Sequence, residues 1–182
     1  MLFRSLIVGR SDGAIEQWFP VRSKTNDASF ALQHIRSFER LPATVIKIVP
    51  SPRDRGFMAA SADGATRLYF STSERTLISE KLPEPVIGLC YAPKLTGFLA
   101  VSKTGALSRW NVDNPHPELS WRMLFGKVWY EGYEKPDYIW QSTGGSDDFE
   151  AKLSLIPLIF GTLKGAFYGL LFAVPEIGRA HV

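Results

Sequence analysis

The sequence predicts a mainly β chain: a partial β-propeller, then a connector and one transmembrane α-helix. Three observations carry this. Three segments repeat a strand–turn–strand pattern: Ser5–Phe19, Phe57–Phe70 and Phe98–Val112. An aromatic-rich stretch follows, in which the pattern stops. The run from Leu153 to Pro175 is then apolar over 23 residues with a single charge, Lys164.

Each repeat has a short apolar strand, a polar turn closed by glycine (Gly13, Gly64, Gly105) and a second strand. That strand reaches an aromatic (Trp18, Tyr69, Trp110) five positions after the glycine. Asp12-Gly13 and Asp63-Gly64 are strong tight-hairpin signals, and Thr104-Gly105 is a weaker one. The glycines are 51 and then 41 residues apart, a spacing in the range of WD40-like propeller blades. Between the hairpins, Thr44–Val49 reads as an inner strand and Arg75–Lys81 as an outer one, while Pro85–Tyr91 opens the next blade. Phe30–Phe38 reads as the outer strand of the first blade, after a polar loop at Ser23–Ser29. The segments Pro50-Ser51-Pro52 and Pro83-Glu84-Pro85 break the strands apart. The pattern implies about two and a half blades, with strands buried on both faces over part of their length, and too few to close a ring. Upstream blades are therefore expected, and Met1-Leu2-Phe3 reads as a truncated start. The repeated glycines and aromatics build the fold and carry no chemistry.

Composition narrows the function. The net charge is +3, with the 21 Lys and Arg scattered, which points away from nucleic acid. Cys90 lies in an apolar run and, as the single cysteine, has no internal disulfide partner. His34, His116 and His181 show no metal-ligand spacing. No catalytic, cofactor or metal residue is assigned, and the chain is read as a non-enzyme without cofactors.

The predicted units are a propeller part over 1–112, an aromatic connector over 113–152, a transmembrane helix over 153–175 and a tail over 176–182. In the connector, Trp121, Phe125, Trp129, Tyr130, Tyr133, Tyr138 and Trp140 fit two environments equally: a lipid headgroup layer or packing against the propeller floor. Ser142–Asp148 reads as a polar hinge. A helix of 23 residues spans about 35 Å against a hydrocarbon core of about 30 Å. Within it Gly161, Gly165 and Gly169 fall at four-residue intervals and form a smooth ridge for helix packing. Lys164, near mid-helix, faces protein or water or snorkels; as a substrate-path residue it is the weaker reading. The last residues, Ile177–Val182, read as the translation of ATC GGA AGA GCA CAC GTC, DNA that resembles a sequencing adapter, so native sequence is expected to continue past Pro175.

The run Pro157–Pro175 resembles the start of the permease core in bacterial phosphate ABC transporters of the Pst type. Pro157, Gly161-Thr162-Leu163 and Ala173-Val174-Pro175 stand at that family's motif positions. The stretch from Val128 to Pro157 looks like the lead-in of the large variant, in which a propeller-like domain is inserted between the first two membrane helices. The resemblance implies phosphate import through the inner membrane, with the propeller periplasmic. It implies a second permease subunit, an ATPase subunit and a periplasmic phosphate-binding protein as partners, with lipid around the helix. No phosphate-contacting residue carries over, and Lys164 lies outside the shared pattern. The alternative is a membrane-anchored propeller that serves as an interaction scaffold.

Overall fold

A computed structural model describes residues 5–22, 30–145 and 149–179, with side chains to residue 174. The predicted polar loop at Ser23–Ser29, the first four residues, part of the hinge and the last three residues of the tail lie outside the described residues.

Three antiparallel sheets follow one another along the chain. The first is β1 (Leu6–Gly9), β2 (Ile15–Arg22) and β3 (Phe30–Ser37), paired in that order. The second is complete, with β4 (Val45–Pro50), β5 (Gly56–Ser61), β6 (Ala65–Phe70) and β7 (Arg75–Lys81). The third is β8 (Val86–Tyr91), β9 (Gly97–Ser102) and β10 (Leu107–Asn111). The innermost strands β4 and β8 approach each other, and β1 approaches β4, so the sheets stand side by side as neighbouring blades without closing.

The turns explain the repeat. Gly13, Gly64 and Gly105 all take φ between +83° and +87°, the left-handed region where a side chain strains the backbone. Ahead of two of them an aspartate fixes the turn. Asp12 accepts from the Ala14 N–H, and Asp63 accepts from the Ser61 hydroxyl at 2.6 Å and the Ala65 N–H. These bonds, first that from Ala14 for Asp12 and that from Ser61 for Asp63, hold both carboxyls below the usual carboxylate value.

At Gly13 and Gly64 the chain leaving the outer strand crosses directly over the turn. Leu41 N–H donates to the Gly13 carbonyl at 2.9 Å, and Leu82 N–H to that of Gly64 at 3.0 Å. A Cβ at either glycine would overlap the Leu41 or Leu82 carbonyl oxygen. At Gly105 a Cβ meets nothing within 4 Å, because β10 carries no fourth strand and nothing crosses there.

Side-chain alternation builds two cores, one on each face of the second sheet. Phe57, Ala59, Ala65 and Tyr69 pack against Ile15, Phe38 and Leu41 of the first blade. Phe57 and Tyr69 stack with Phe38 edge-on to Phe57, an aromatic trio with centroids 4.9–5.8 Å apart. Met58, Ala60 and Leu68 point the other way and meet Leu82, Val86, Leu89, Phe98 and Ala100. All six residues of β5 are therefore buried, whereas β2 alternates buried with half-buried positions. The double-faced burial expected of the strands holds where a blade has two neighbours. Two of the repeated aromatics fill the space between sheets. Tyr69 is fully buried with its hydroxyl donating to the Glu39 carbonyl at 2.8 Å, and burial pushes it up to about 12. Trp110 stacks on Phe98 at 4.9 Å. Trp18 has the same place in its hairpin but lies on the outer face of the first sheet, edge-on to His34 at 5.4 Å.

After β10 come a short helix α1 (Trp121–Phe125), a small hairpin of β11 (Trp140–Gln141) with β12 (Lys152–Leu153), and a long helix α2 (Ile156–Arg179). Two helix boundaries differ from the sequence prediction. The start moves from Leu153 to Ile156 because Lys152 and Leu153 are taken by the hairpin with β11. The backbone stays helical past Pro175 to Arg179, since a proline removes one N–H from the ladder while later residues bond further back.

Candidate functional site

The apolar helix and the connector that carries it are the distinctive parts of this molecule. Ile156–Val174 is 19 residues long with a mean hydropathy of 1.5, and from Leu158 to Val174 every residue of α2 is exposed. At 1.5 Å per residue this stretch is about 28 Å long, close to the hydrocarbon thickness. Phe160, Leu163, Phe167, Leu170 and Phe172 are each 64–72% exposed. A helix that is apolar all round and unpartnered is matched to lipid as its solvent. Among the described residues it is the one helix long and apolar enough to cross a membrane.

Gly161, Gly165 and Gly169 lie on α2, and a Cβ at any of them meets nothing within 4 Å, so the ridge is open. Lys164 lies on the same helix, its Nζ 5.8 Å from the Tyr168 ring centroid one turn on. Thr162 returns its hydroxyl to the Leu158 carbonyl at 2.9 Å, which satisfies it without a partner helix. The structure brings no second charged group to Lys164 among the described residues.

The connector is bolted to the sheets by buried polar contacts that the sequence pattern did not reveal. Arg36 on β3 is 7% exposed. Its Nη1 donates to the carbonyls of Ser71 at 2.7 Å and Thr72 at 3.1 Å, and its Nη2 donates to the Trp129 carbonyl. Its Nε lies 4.0 Å from the Glu74 carboxylate, which also pairs with Arg122 of α1. Burial holds the guanidinium below its ordinary value, opposed by Glu74 and Glu150. Arg55 pairs with Glu131 at 2.9 Å, and Thr72 donates to Glu150. Lys152 is 9% exposed, bonded to Gln141 at 2.9 Å and set 5.1–5.9 Å from the rings of Phe149, Tyr130 and Tyr133. Arginine in an alternating strand reads as solvent-facing, and its partners lie 35 to 93 residues away, so no local signal announces this network.

The connector aromatics divide into buried and exposed ones. Tyr130 is buried with Met123 and Val128, and Trp129 sits edge-on to Phe19 at 6.1 Å. Trp121, Phe125, Tyr133 and Trp140 are exposed.

Among the described residues, no group of three or more His, Cys, Asp or Glu could hold a metal ion. A groove of about 470 Å³ between the second and third sheets is lined by Asp54, Phe70, Tyr91, Lys94 and Asp113 without a histidine or cysteine.

No family model and no curated protein matches the chain. Solved structures do resemble it. The C-terminal WD40 domain of Sif2 aligns with a TM-score of 0.51 and 14% identity over 59% of this chain and 30% of that one. Sqt1 from Chaetomium thermophilum aligns at 0.49 and 16% over 60% and 27%, and the computationally designed Ika8 protein at 0.48 and 15% over 61% and 31%. The chain thus spans about 30% of the length of each structure it matches. At such identity the likeness to Sif2 is one of fold. The three sheets form a partial β-propeller-like fold resembling WD40 domains, joined to a helix long enough to span a membrane.

Proposed function

We propose that this chain is a membrane-anchored, propeller-like interaction module. One observation carries the reading: an apolar helix exposed from Leu158 to Val174 is joined to the sheets through a connector fixed by Arg36, Arg55 and Glu131. Such a joint holds the sheets close to the bilayer.

A second reading rests on the sequence of α2. Pro157, Gly161-Thr162-Leu163 and Ala173-Val174-Pro175 match the Pst-type permease pattern, and the open glycine ridge suits close approach of another helix. Here the helix belongs to a phosphate permease in the bacterial inner membrane and the sheets are periplasmic. The partners are a second permease subunit, an ATPase and a phosphate-binding protein.

Gly165→Leu separates the two readings. A lipid-facing anchor tolerates a leucine, so membrane content and phosphate uptake in a transport-deficient host stay at the parent level. A permease helix packed on its ridge is forced from its neighbour, and uptake falls clearly below the parent level. Lys164→Met is the milder change in both cases. Unchanged uptake with Gly165→Leu in the intact protein rules out the packed ridge.

A further inference from the structure

The three residues before α2 are held by two parts of the connector. Leu153 pairs with Trp140 of β11. Ser154 N–H donates to the Ile139 carbonyl at 3.0 Å, and Leu155 N–H donates to the Leu124 carbonyl of α1 at 2.8 Å. Both α1 and β11 are therefore fixed to the point where the chain enters the apolar helix. Both also carry exposed aromatics. Trp121 is 80% exposed and stacks on Phe125 at 5.8 Å, and Trp140 is 40% exposed.

Distances along the helix say what meets these rings. Leu158 is the first exposed large apolar side chain of α2, and it lies three residues beyond Leu155, about 4.5 Å of helix rise. The headgroup layer on each side of a bilayer is about 5–8 Å thick. Leu124, Ile139 and Trp140, which are bonded or paired to Leu153–Leu155, therefore fall within that layer once the hydrocarbon begins near Leu158, with Phe125 next to Leu124 and Trp121 one turn before it on α1. Tryptophan suits this depth, with an apolar ring and one polar N–H.

We infer that Trp121, Phe125 and Trp140 form an interfacial collar that seats in the phospholipid headgroup layer and fixes the angle at which the sheets stand on the membrane. The inference rests on the reading of α2 as the membrane anchor. The occupant is the bilayer that α2 itself enters, which is why a separate protein partner is not invoked. The same contacts make the collar rigid: α1 is capped by Ser120, which accepts from the Met123 N–H, and is held to the sheets through Arg122 and Glu74.

The test uses the full chain carrying 5-fluorotryptophan in phosphatidylcholine nanodiscs, read by fluorine NMR. Trp121→Phe and Trp140→Phe assign the two resonances among the five tryptophans. Lipid with a nitroxide high on its acyl chain should reduce both signals about threefold or more, and leave those of Trp18 and Trp110 on the sheets unchanged. Phe167→Trp, in mid-helix, reports on insertion independently through a nitroxide at the acyl-chain end. A quenched Trp at 167 with untouched Trp121 and Trp140 overturns the collar and leaves the anchor standing; this is also the result if another protein helix covers these rings. An unquenched Trp at 167 overturns the anchor and the collar together.

Discussion

Arg36→Met lowers the stability of the sheet–connector unit by about 3–5 kcal/mol, the range for removing one member of a buried charged network. The substitution keeps the stem but strips donors from the carbonyls of Ser71, Thr72 and Trp129. Each orphaned buried acceptor costs about 1–3 kcal/mol. Glu74 retains Arg122, so the carboxylate is not left alone and the total stays within that range. The measurement is the urea midpoint of the full chain in nanodiscs, followed by tryptophan fluorescence. Trp129 lies beside the network, so its environment changes as the connector detaches. A loss below about 1 kcal/mol, the worth of a surface ion pair, contradicts the buried role.

The two turn glycines of the second and third sheets should respond unequally to alanine. Gly64→Ala forces a side chain into φ +87°, which costs about 1–2 kcal/mol for an L-residue. It also drives the new methyl into the Leu82 carbonyl and to 2.8 Å from that of Glu84. The crossing chain must move, and Leu82 is part of the core between the second and third sheets. The combined loss is about 3 kcal/mol or more, by analogy with overpacked cores. Gly105→Ala carries the same backbone strain with open space around it, so its cost stays at about 1–2 kcal/mol. Equal urea midpoints for the two variants would show that the crossing at Leu82 yields without penalty.

The hairpins were legible because their signals are local. Asp-Gly fixes the turn and the strands alternate; the aromatic five residues on follows the pleat, and all three hairpins form where predicted. The outer strands Phe30–Ser37 and Arg75–Lys81 were equally clear from their breakers. The helix was legible from its length of apolar sequence, but its first turn was not. The pairing of Trp140 with Leu153 spans a loop whose sequence carries no strand pattern. The docking of the connector was hidden for a different reason. Arg36, Arg55, Glu131 and Glu150 become partners only when the blades stand side by side, across separations of up to 93 residues. The connector aromatics suited lipid or protein equally well by composition. Packing in the folded chain is what sets Trp129 edge-on to Phe19 of the first sheet and buries Tyr130 with Met123 and Val128, and leaves Trp121 and Trp140 exposed.

The central claim is that open propeller-like sheets are carried by a helix made for lipid. Outer strands without neighbours and apolar residues such as Phe30, Leu32 and Leu107 add exposed surface at both ends of the sheet row. The most direct measurement is the fate of the full chain when membranes of the expressing cells are washed with alkaline carbonate. The chain is expected to stay in the pellet and to leave it only with detergent. Recovery in the wash, as a monodisperse monomer in plain buffer, would contradict it.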